Sequence, residues 1–338
     1  MKKIIKFLVF VFAICLVIYG VIMDIRRVNL EKNINHDGAK YNGWLSVNGS
    51  HLINQNGKDF RLRGVSSHGI QWYGNLYSYE NLRKLRDNFN INVFRISMYV
   101  NPKDDGYITN KELFEDVVKI IDYAVSLDIY VIIDWHVLDN NTLVNYGSDA
   151  VDFFDKISYL YKDVPNVIYE ICNELNDQSN WDNDIKPYAE SVIDIIRYNS
   201  PNSLILVGIP DWGKNLNVVR DNLLDYDNIM YSVHFYSGSD GDDLKQNISS
   251  FVDDNLPVFI SECGITNSTG NGKIYDDEFI KWIDFLNNYN ISWVFWSFSN
   301  KNESSSILSS DYNMDDELIL DEFLSESGKI IRDIFLHY

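Results

Sequence analysis

Val167-Ile168-Tyr169-Glu170-Ile171-Cys172-Asn173-Glu174 is the stretch on which the reading of this chain turns. It is a β-prone apolar run that gives out into a polar loop at Asn173-Glu174. The pattern recurs in Pro257-Val258-Phe259-Ile260-Ser261-Glu262-Cys263-Gly264. A carboxylate at the carboxyl end of a barrel strand points into the barrel mouth, where such barrels carry out their chemistry. A lone strand-end glutamate is most often a helix cap or an ion-pair partner. Two of them, one directly after an asparagine, are the equipment for breaking a glycosidic bond.

Outward from these two segments, apolar strand-like runs alternate with amphipathic ones. The strands fall at Leu62–Ser66, Val93–Met98, Tyr130–Asp134, Val167–Cys172, Ser203–Val207, Met230–His234, Val258–Ser261 and Trp293–Ser297. Helical patterns lie between them near 79–89, 110–126, 148–162, 184–198, 243–253 and 275–288, with a last one near 324–334. The segment Asn215–Asn222 carries the weakest helical pattern. Eight strand–helix units imply a parallel sheet with right-handed crossovers, and at this length a closed (β/α)8 TIM barrel rather than an open doubly wound sheet. Trp44 to Phe60 reads as a preceding β-hairpin, with turn-prone Asn48-Gly49 and Asn56-Gly57. No G-x-G-x-x-G follows the first strand and no G-x-x-x-x-G-K-[ST] occurs, which counts against nucleotide binding.

Composition narrows the partners. The 338 residues carry a formal net charge of −20 and a sequence pI near 4.6. Such a surface repels phosphate backbones, so no nucleic-acid partner is expected. A neutral polymer feels no such repulsion, and an aromatic content of 14% suits an open aromatic-lined cleft as well as a Tyr-rich surface. Cys15 lies in the N-terminal apolar run. Cys172 and Cys263 lack metal-ligand spacing and read as small strand-end residues that need no disulfide. Lys2, Lys3 and Lys6 precede an uncharged run from Phe7 to Met23, without a clean cleavage site. Residues 1–23 are therefore a signal peptide or a signal anchor, with the anchor favoured, residues 24–43 a tether, and residues 44–338 the catalytic domain. Either way the bulk of the chain is expected outside the cytoplasm, secreted or tethered to the outer face of the cell membrane.

At the strand ends the barrel collects an unusual set of side chains: His68 and Trp72, Arg95 and Tyr99, Asp134 and His136, Asn173 and Glu174, Trp212, His234 and Tyr236, Glu262, and Trp296. A single strand-end histidine is usually a structural hydrogen-bonder. Three together raise the question of zinc, but His68, His136 and His234 come from the first, third and sixth strands without an H-x-H pair, so no metal is expected. Arg95 on a barrel strand is a costly buried charge unless a carboxylate pairs with it, and an ionised nucleophilic glutamate is the natural partner. The tryptophans at polar strand ends suit platforms for sugar rings better than core positions.

These motifs resemble glycoside hydrolase family 5, and within it the bacterial endo-β-1,4-glucanases (cellulases). The resemblance rests on Leu62-Arg63-Gly64-Val65-Ser66-Ser67-His68-Gly69-Ile70-Gln71-Trp72, Phe94-Arg95-Ile96-Ser97-Met98-Tyr99, Ile133-Asp134-Trp135-His136, Asn166 through Glu174, and Trp296 through Ser306, and covers about residues 44–335. It implies a (β/α)8 barrel, cleavage with retention, Glu174 as acid/base and Glu262 as nucleophile. It further implies catalytic support from Arg95, His136, Asn173, His234 and Tyr236, and sugar contacts from His68, Trp72, Tyr99, Trp212, Trp296, Lys301 and Glu303. Leu175 stands where the family commonly has Pro, Cys263 where a Trp usually follows the nucleophile, and Asn300 where Asp is common.

The expected reaction is double displacement on internal β-1,4-glucosidic bonds of cellulose-type or mixed-linkage β-glucans, with no metal or organic cofactor. Glu262 is expected ionised, and Glu174 protonated with a raised pKa. Mannan, xylan or xyloglucan are the rival substrates, and a non-catalytic surface glucan-binding protein is the rival from another class. A monomer is expected.

Overall fold

The computed structural model describes residues 36–337 apart from Asp177 and Asp315. A two-stranded antiparallel hairpin, β1 (Ser46–Asn48) and β2 (His51–Ile53), precedes eight parallel strands. These are β3 (Arg63–Ser67), β4 (Val93–Tyr99), β5 (Tyr130–His136), β6 (Val167–Glu170), β7 (Ile205–Gly208), β8 (Ile229–Tyr236), β9 (Val258–Gly264) and β10 (Trp293–Phe298). They pair in sequence order, and β10 closes on β3, so the sheet is a barrel without edges. The expected (β/α)8 architecture is what the chain adopts. Its strands differ from the sequence-based limits by a few residues at their ends: β6 stops at Glu170, so Glu174 sits four residues into the following loop, while His234 lies within β8 rather than at its end.

The alternation along the strands explains the packing and, together with a register shift in β9 between Ile260 and Glu262, the site. Residues of one parity, such as Phe94, Ile96, Met98, Val131, Ile133 and Trp135, face the surrounding helices and belong to the main apolar core. Residues of the other parity face the barrel axis. Near the amino ends these are Val93, Tyr130, Ile132, Ile168, Leu206, Met230, Phe259 and Val294, which form a second apolar cluster. One step further up the same faces, the sequence switches to Arg95, Asp134, Glu170, Ser232 and Ser261, all fully buried. The barrel interior is thus a greasy floor under a charged tier.

Helices follow from the 3.6-residue pattern. In Tyr79–Phe89 the buried face is Leu82, Leu85 and Phe89, the Ser78 side chain accepts the Asn81 N–H at the start, and Asn90 in the left-handed region (φ 59°) ends it. Between β7 and β8 only the short helices Pro210–Gly213 and Leu216–Asp221 occur, in keeping with the weak pattern there. Residues 38–43, expected to be the end of a tether, belong to the folded body. Lys40 N–H donates to Asp128 just before β5 (2.8 Å), and the Tyr130 hydroxyl donates to the Gly43 carbonyl (2.7 Å). With Leu45, Leu52 and Phe60 packed onto the floor cluster, this segment and the hairpin stopper the amino-end pole of the barrel. The apolar run Phe7–Met23 lies outside the described residues, among which no helix is long and apolar enough to cross a membrane.

Two outcomes test this packing. β3 and β4 pair Gly64 with Val93, and a Cβ on Gly64 would meet the Val93 carbonyl oxygen at 1.9 Å. Gly64→Ala is expected to cost about 1–3 kcal/mol in a urea titration, and an unchanged midpoint would contradict the close approach. The second concerns Glu170. Burial pushes its carboxyl up, but Arg95 and then His234 outweigh that and hold it down at about 2. A carboxylate depressed on folding adds stability above its ordinary range near 4.5, lost as pH falls toward 2. Glu170→Gln should therefore cost about 3–5 kcal/mol at neutral pH, with the gap to the parent narrowing across that acid window. A gap independent of pH would refute the assignment.

Candidate active site

Glu262 lies on β9 and Glu174 in the loop beyond β6. That loop is held from both sides: Glu174 N–H donates to the Val137 carbonyl (3.1 Å), and Trp212 N–H donates to Leu175 (2.8 Å). One carboxylate oxygen of each glutamate and a ring nitrogen of His234 all lie within 4.8 Å of one another. The Glu174 side chain is 16% exposed, whereas that of Glu262 is buried, with 5% left to solvent. A cavity of about 300 Å³ opens beside them, lined by Glu174, Trp212, Lys214, Tyr236 and Ser268.

Each glutamate has its own support. The Tyr236 hydroxyl donates to Glu262 Oε1 at 2.7 Å, and Arg95 Nη1 donates to Oε2 at 3.1 Å. Glu174 Oε1 meets His234 Nδ1 at 2.9 Å. Arg95 has more partners than the nucleophile expected for it. Its Nε donates to Glu170 Oε2 at 2.6 Å, its Nη2 lies 3.0 Å from Asp134 Oδ2, and Nη2 also donates to Asn173 Oδ1 at 2.5 Å. Glu170 and Asp134 are the partners that the sequence reading missed. Both were detectable by parity: each is an acidic residue on the axis-facing side of a strand, in register with Ser97, two residues beyond Arg95. Lys214 and Ser268, in loops, had no such signal.

The electrostatics depart from expectation. Burial pushes Glu174 up, but the hydrogen bond and charge of His234 win, and its pKa lies below the ordinary value. Glu262 lies above it, because burial and the facing Glu174 outweigh His234 and Arg95. The free protein therefore does not hold Glu174 as the raised acid of the pair. Burial opposes charge on His234 too, yet Glu170 and Glu174 together lift it to about 9. His136 is driven the other way, to about 3, by burial and Arg95. Its Nδ1 contacts Asp134 Oδ2 at 2.6 Å.

The expected sugar-contact residues split into two groups. His68, Trp72, Tyr99 and Trp296, joined by His136 from the expected catalytic support, form one aromatic wall: Trp72 and Tyr99 rings lie 4.9 Å apart, Tyr99 and His136 4.1 Å, and His68 and Trp296 4.9 Å. Lys301 joins this wall, with Nζ 3.1 Å from His68 Nε2 and 2.6 Å from Glu303. Trp212, 43% exposed, stands apart with Glu174 and Lys214, in a turn where its own φ is 59°. Lys214 is oriented by Asp240 at 2.8 Å. Cys263 and Leu175 are fully buried in the main core, so these two departures from the family pattern face away from the cleft. Both described cysteines are free thiols. Asn300 donates to the Tyr312 carbonyl (2.8 Å) and braces its own loop.

The three histidines do not converge on one point. His68 is engaged by Gly69 and Lys301, His136 by Asp134 and His234 by Glu174 and Ser261. Among the described residues the one set with ligating geometry is Glu174, His234 and Glu262. Both nitrogens of that histidine already have hydrogen-bond partners, and a site above its ordinary pKa favours a proton over a metal ion.

Residues 53–302 match the family model Cellulase (glycosyl hydrolase family 5). The chain is 43% identical over 273 residues to an endoglucanase of Clostridium saccharobutylicum, covering 80% of this chain and 60% of that protein. It is 40% identical over 315 residues to endoglucanase N of Pectobacterium atrosepticum, covering 93% and 70%. It thus spans about 60% of the first relative's length. The crystal structure of the catalytic domain of Thermobifida fusca endoglucanase Cel5A superposes with a TM-score of 0.83 at 30% identity, covering 88% of this chain and 99% of that one. A variant of the same domain is known in complex with cellotetraose. The barrel, the paired glutamates and these likenesses agree, and the chain belongs to glycosyl hydrolase family 5.

Proposed function

We propose that this protein hydrolyses internal β-1,4-glucosidic bonds of cellulose-type or mixed-linkage β-glucans by double displacement, with retention of anomeric configuration. The observation that carries the reading is the approach of Glu174 and Glu262 to within 4.8 Å. Retaining enzymes keep their two carboxyl groups roughly 5–5.5 Å apart, whereas inverting ones leave room for a water at about 6.5–9.5 Å. The endoglucanase relatives and the cellotetraose complex of the Thermobifida fusca domain support a β-glucan as substrate.

Glu262 attacks the anomeric carbon. Arg95 and the Tyr236 hydroxyl hold its two oxygens and favour the charged form. Glu174 gives a proton to the departing oxygen. Bond formation consumes the charge on Glu262, which lowers the proton affinity of Glu174, and Glu174 then takes a proton from the attacking water. Asn173 is held by Arg95 and positioned for the sugar 2-hydroxyl. The aromatic wall and Trp212 offer flat faces on the two sides of the cleft, and Trp296 supports the ring under attack. His68, Lys301 and Glu303 supply polar contacts beside the wall. The reaction needs no organic cofactor or metal.

The chain is proposed to act as a monomer outside the cytoplasm, a placement supported by the lysine-flanked apolar run Phe7–Met23.

Glu262→Ala is expected to abolish turnover, and added azide to restore cleavage with inverted product. Absence of rescue would count against the nucleophile. Glu174→Ala should lose about 10²–10⁴-fold on natural glucans and far less on aryl glycosides with good leaving groups. Equal losses on both would remove the acid role. Product analysis on barley β-glucan, carboxymethylcellulose, mannan, xylan and xyloglucan identifies the substrate, and preferential cleavage of any of the last three would overturn the glucan assignment.

A further inference from the structure

On the Trp212 side of the cleft one cation has no task in the reaction above. Lys214 shares with Glu174, Trp212, Tyr236 and Ser268 the cavity of about 300 Å³. That volume lies at the lower end of the range for small-ligand sites, about 300–1,000 Å³. The Lys214 side chain is 31% exposed, and its Nζ sits 2.8 Å from Asp240 Oδ1. Asp240 is itself fixed. Its Oδ2 accepts the Tyr236 N–H at 2.9 Å, its own N–H donates to the Tyr236 carbonyl at 2.9 Å, and its carbonyl accepts from Trp282 Nε1 at 3.2 Å. An ammonium carries three donor hydrogens. Asp240 takes one, and no second partner of Nζ occurs among the described residues. The other two are available to the cavity.

The backbone beside this cation is held in an uncommon shape. Asp211 and Trp212 both lie in the left-handed region, at φ 57° and 59°, which non-glycine residues keep only where surrounding contacts over-determine it. Trp212 N–H donates to the carbonyl of Leu175, the residue after Glu174, at 2.8 Å, and Lys214 N–H donates to the Pro210 carbonyl at 3.2 Å. Asn215 Nδ2 donates to Asp211 Oδ2 at 2.6 Å. Between Trp212 and Lys214, Gly213 lies so close to β8 that a Cβ there would meet His234 N at 3.1 Å. The Lys214–Asp240 pair closes the arrangement, so the loops after β6, β7 and β8 are tied together around one cavity.

We propose that Lys214 is a specificity-determining residue for the sugar that leaves: its ammonium, parked on Asp240, donates to a hydroxyl of the departing pyranose as that ring lies against Trp212, and Asp240 is its positioning residue. This rests on the double-displacement reading, in which Glu174 protonates the departing oxygen and the departing ring therefore lies beside Glu174. Asp240 balances the charge of Lys214, so the pair offers donor hydrogens without a net positive field. That suits the hydroxyls of a neutral sugar better than an anionic group, and a plain alkyl leaving group has nothing there to accept the bond. The charge of Lys214 is also felt at Glu174, where it comes after His234 and His136 in lowering the carboxyl against burial. Removing Lys214 thus changes two things, and the experiment separates them.

The test compares kcat/KM of the full chain for release of sugar from cellotetraose and of methanol from methyl β-cellobioside. Both leaving groups are alcohols that need the acid, but only the first carries a ring. Lys214→Met should lower the ratio of the two values, cellotetraose over methyl β-cellobioside, about 10-fold or more, the scale of one hydrogen bond from a charged donor, and should do so at every pH of the profile. Lys214→Arg, which keeps the donors and the reach, should recover most of the ratio. Asp240→Asn should move it in the same direction as Lys214→Met, and adding Asp240→Asn to Lys214→Met should change it no further. An active parent with an unmoved ratio overturns the proposal. So does a ratio lowered only where the limbs of the pH profile have shifted, which would make Lys214 a charge acting on Glu174 alone. Additive losses in the double variant would overturn the role of Asp240. A parent chain that cleaves neither substrate, or inverts configuration, fails the reaction instead, and with it the place of the departing ring.

Discussion

A guanidinium with no water around it is the constraint on which the upper half of this barrel depends. Arg95 is fully buried, and its charge is tolerable only because Glu170, Asp134 and Glu262 surround it. Four strands thereby meet at one cation: β4 supplies it, and β5, β6 and β9 supply the carboxylates. The same contacts that neutralise Arg95 place one oxygen of Glu262 and pin Asn173. Positioning and stability are therefore not separable here. A change in any of the three acids is felt by the barrel and by the cleft together.

The charged tier also creates asymmetry between two acids of one residue type. Glu262 faces a cation on one side and a phenol on the other. Glu174 faces an imidazole whose own charge is maintained by carboxylates beneath it. Environment, rather than identity, moves the two glutamates in opposite directions from their ordinary pKa. The aromatic wall beside them is continuous from Trp72 through Tyr99 and His136 to Trp296, whereas Trp212 comes from the irregular segment after β7. The regular part of the fold builds one side of the cleft and a loop builds the other.

Much of this was legible in the chain itself, because barrel strands announce themselves by composition and their spacing counts the units. The eight strands, the hairpin and the helix Tyr79–Phe89 follow from period-2 and period-3.6 patterns and from turn residues. Glu174, Glu262, Arg95, His234 and Tyr236 converge as the strand-end argument expects. What local pattern could not supply was pairing across the barrel. Arg95 reaches Glu170, 75 residues away, as well as Glu262, 167 residues away, and only the closed register makes the first of these its shortest ion pair. The protonation of Glu174 was misjudged for a related reason: an acidic neighbour and apolar walls argue for a raised carboxyl, but His234 at 2.9 Å decides the sign. Cys263 and Leu175 lie in the outer core, Cys263 because the register shift in β9 beyond Ile260 reverses the side it would otherwise face.

The stopper at the amino-end pole has a mechanical meaning. Residues 38–43 are tied to Asp128 and Tyr130, on the side of the barrel opposite the carboxylates. Any pull arriving along the polypeptide from upstream is borne there, on hydrogen bonds between its backbone and the Asp128 and Tyr130 side chains and on the packed undersides of Leu45, Leu52 and Phe60. Load entering at that end would pass into the greasy floor without crossing the ions above it.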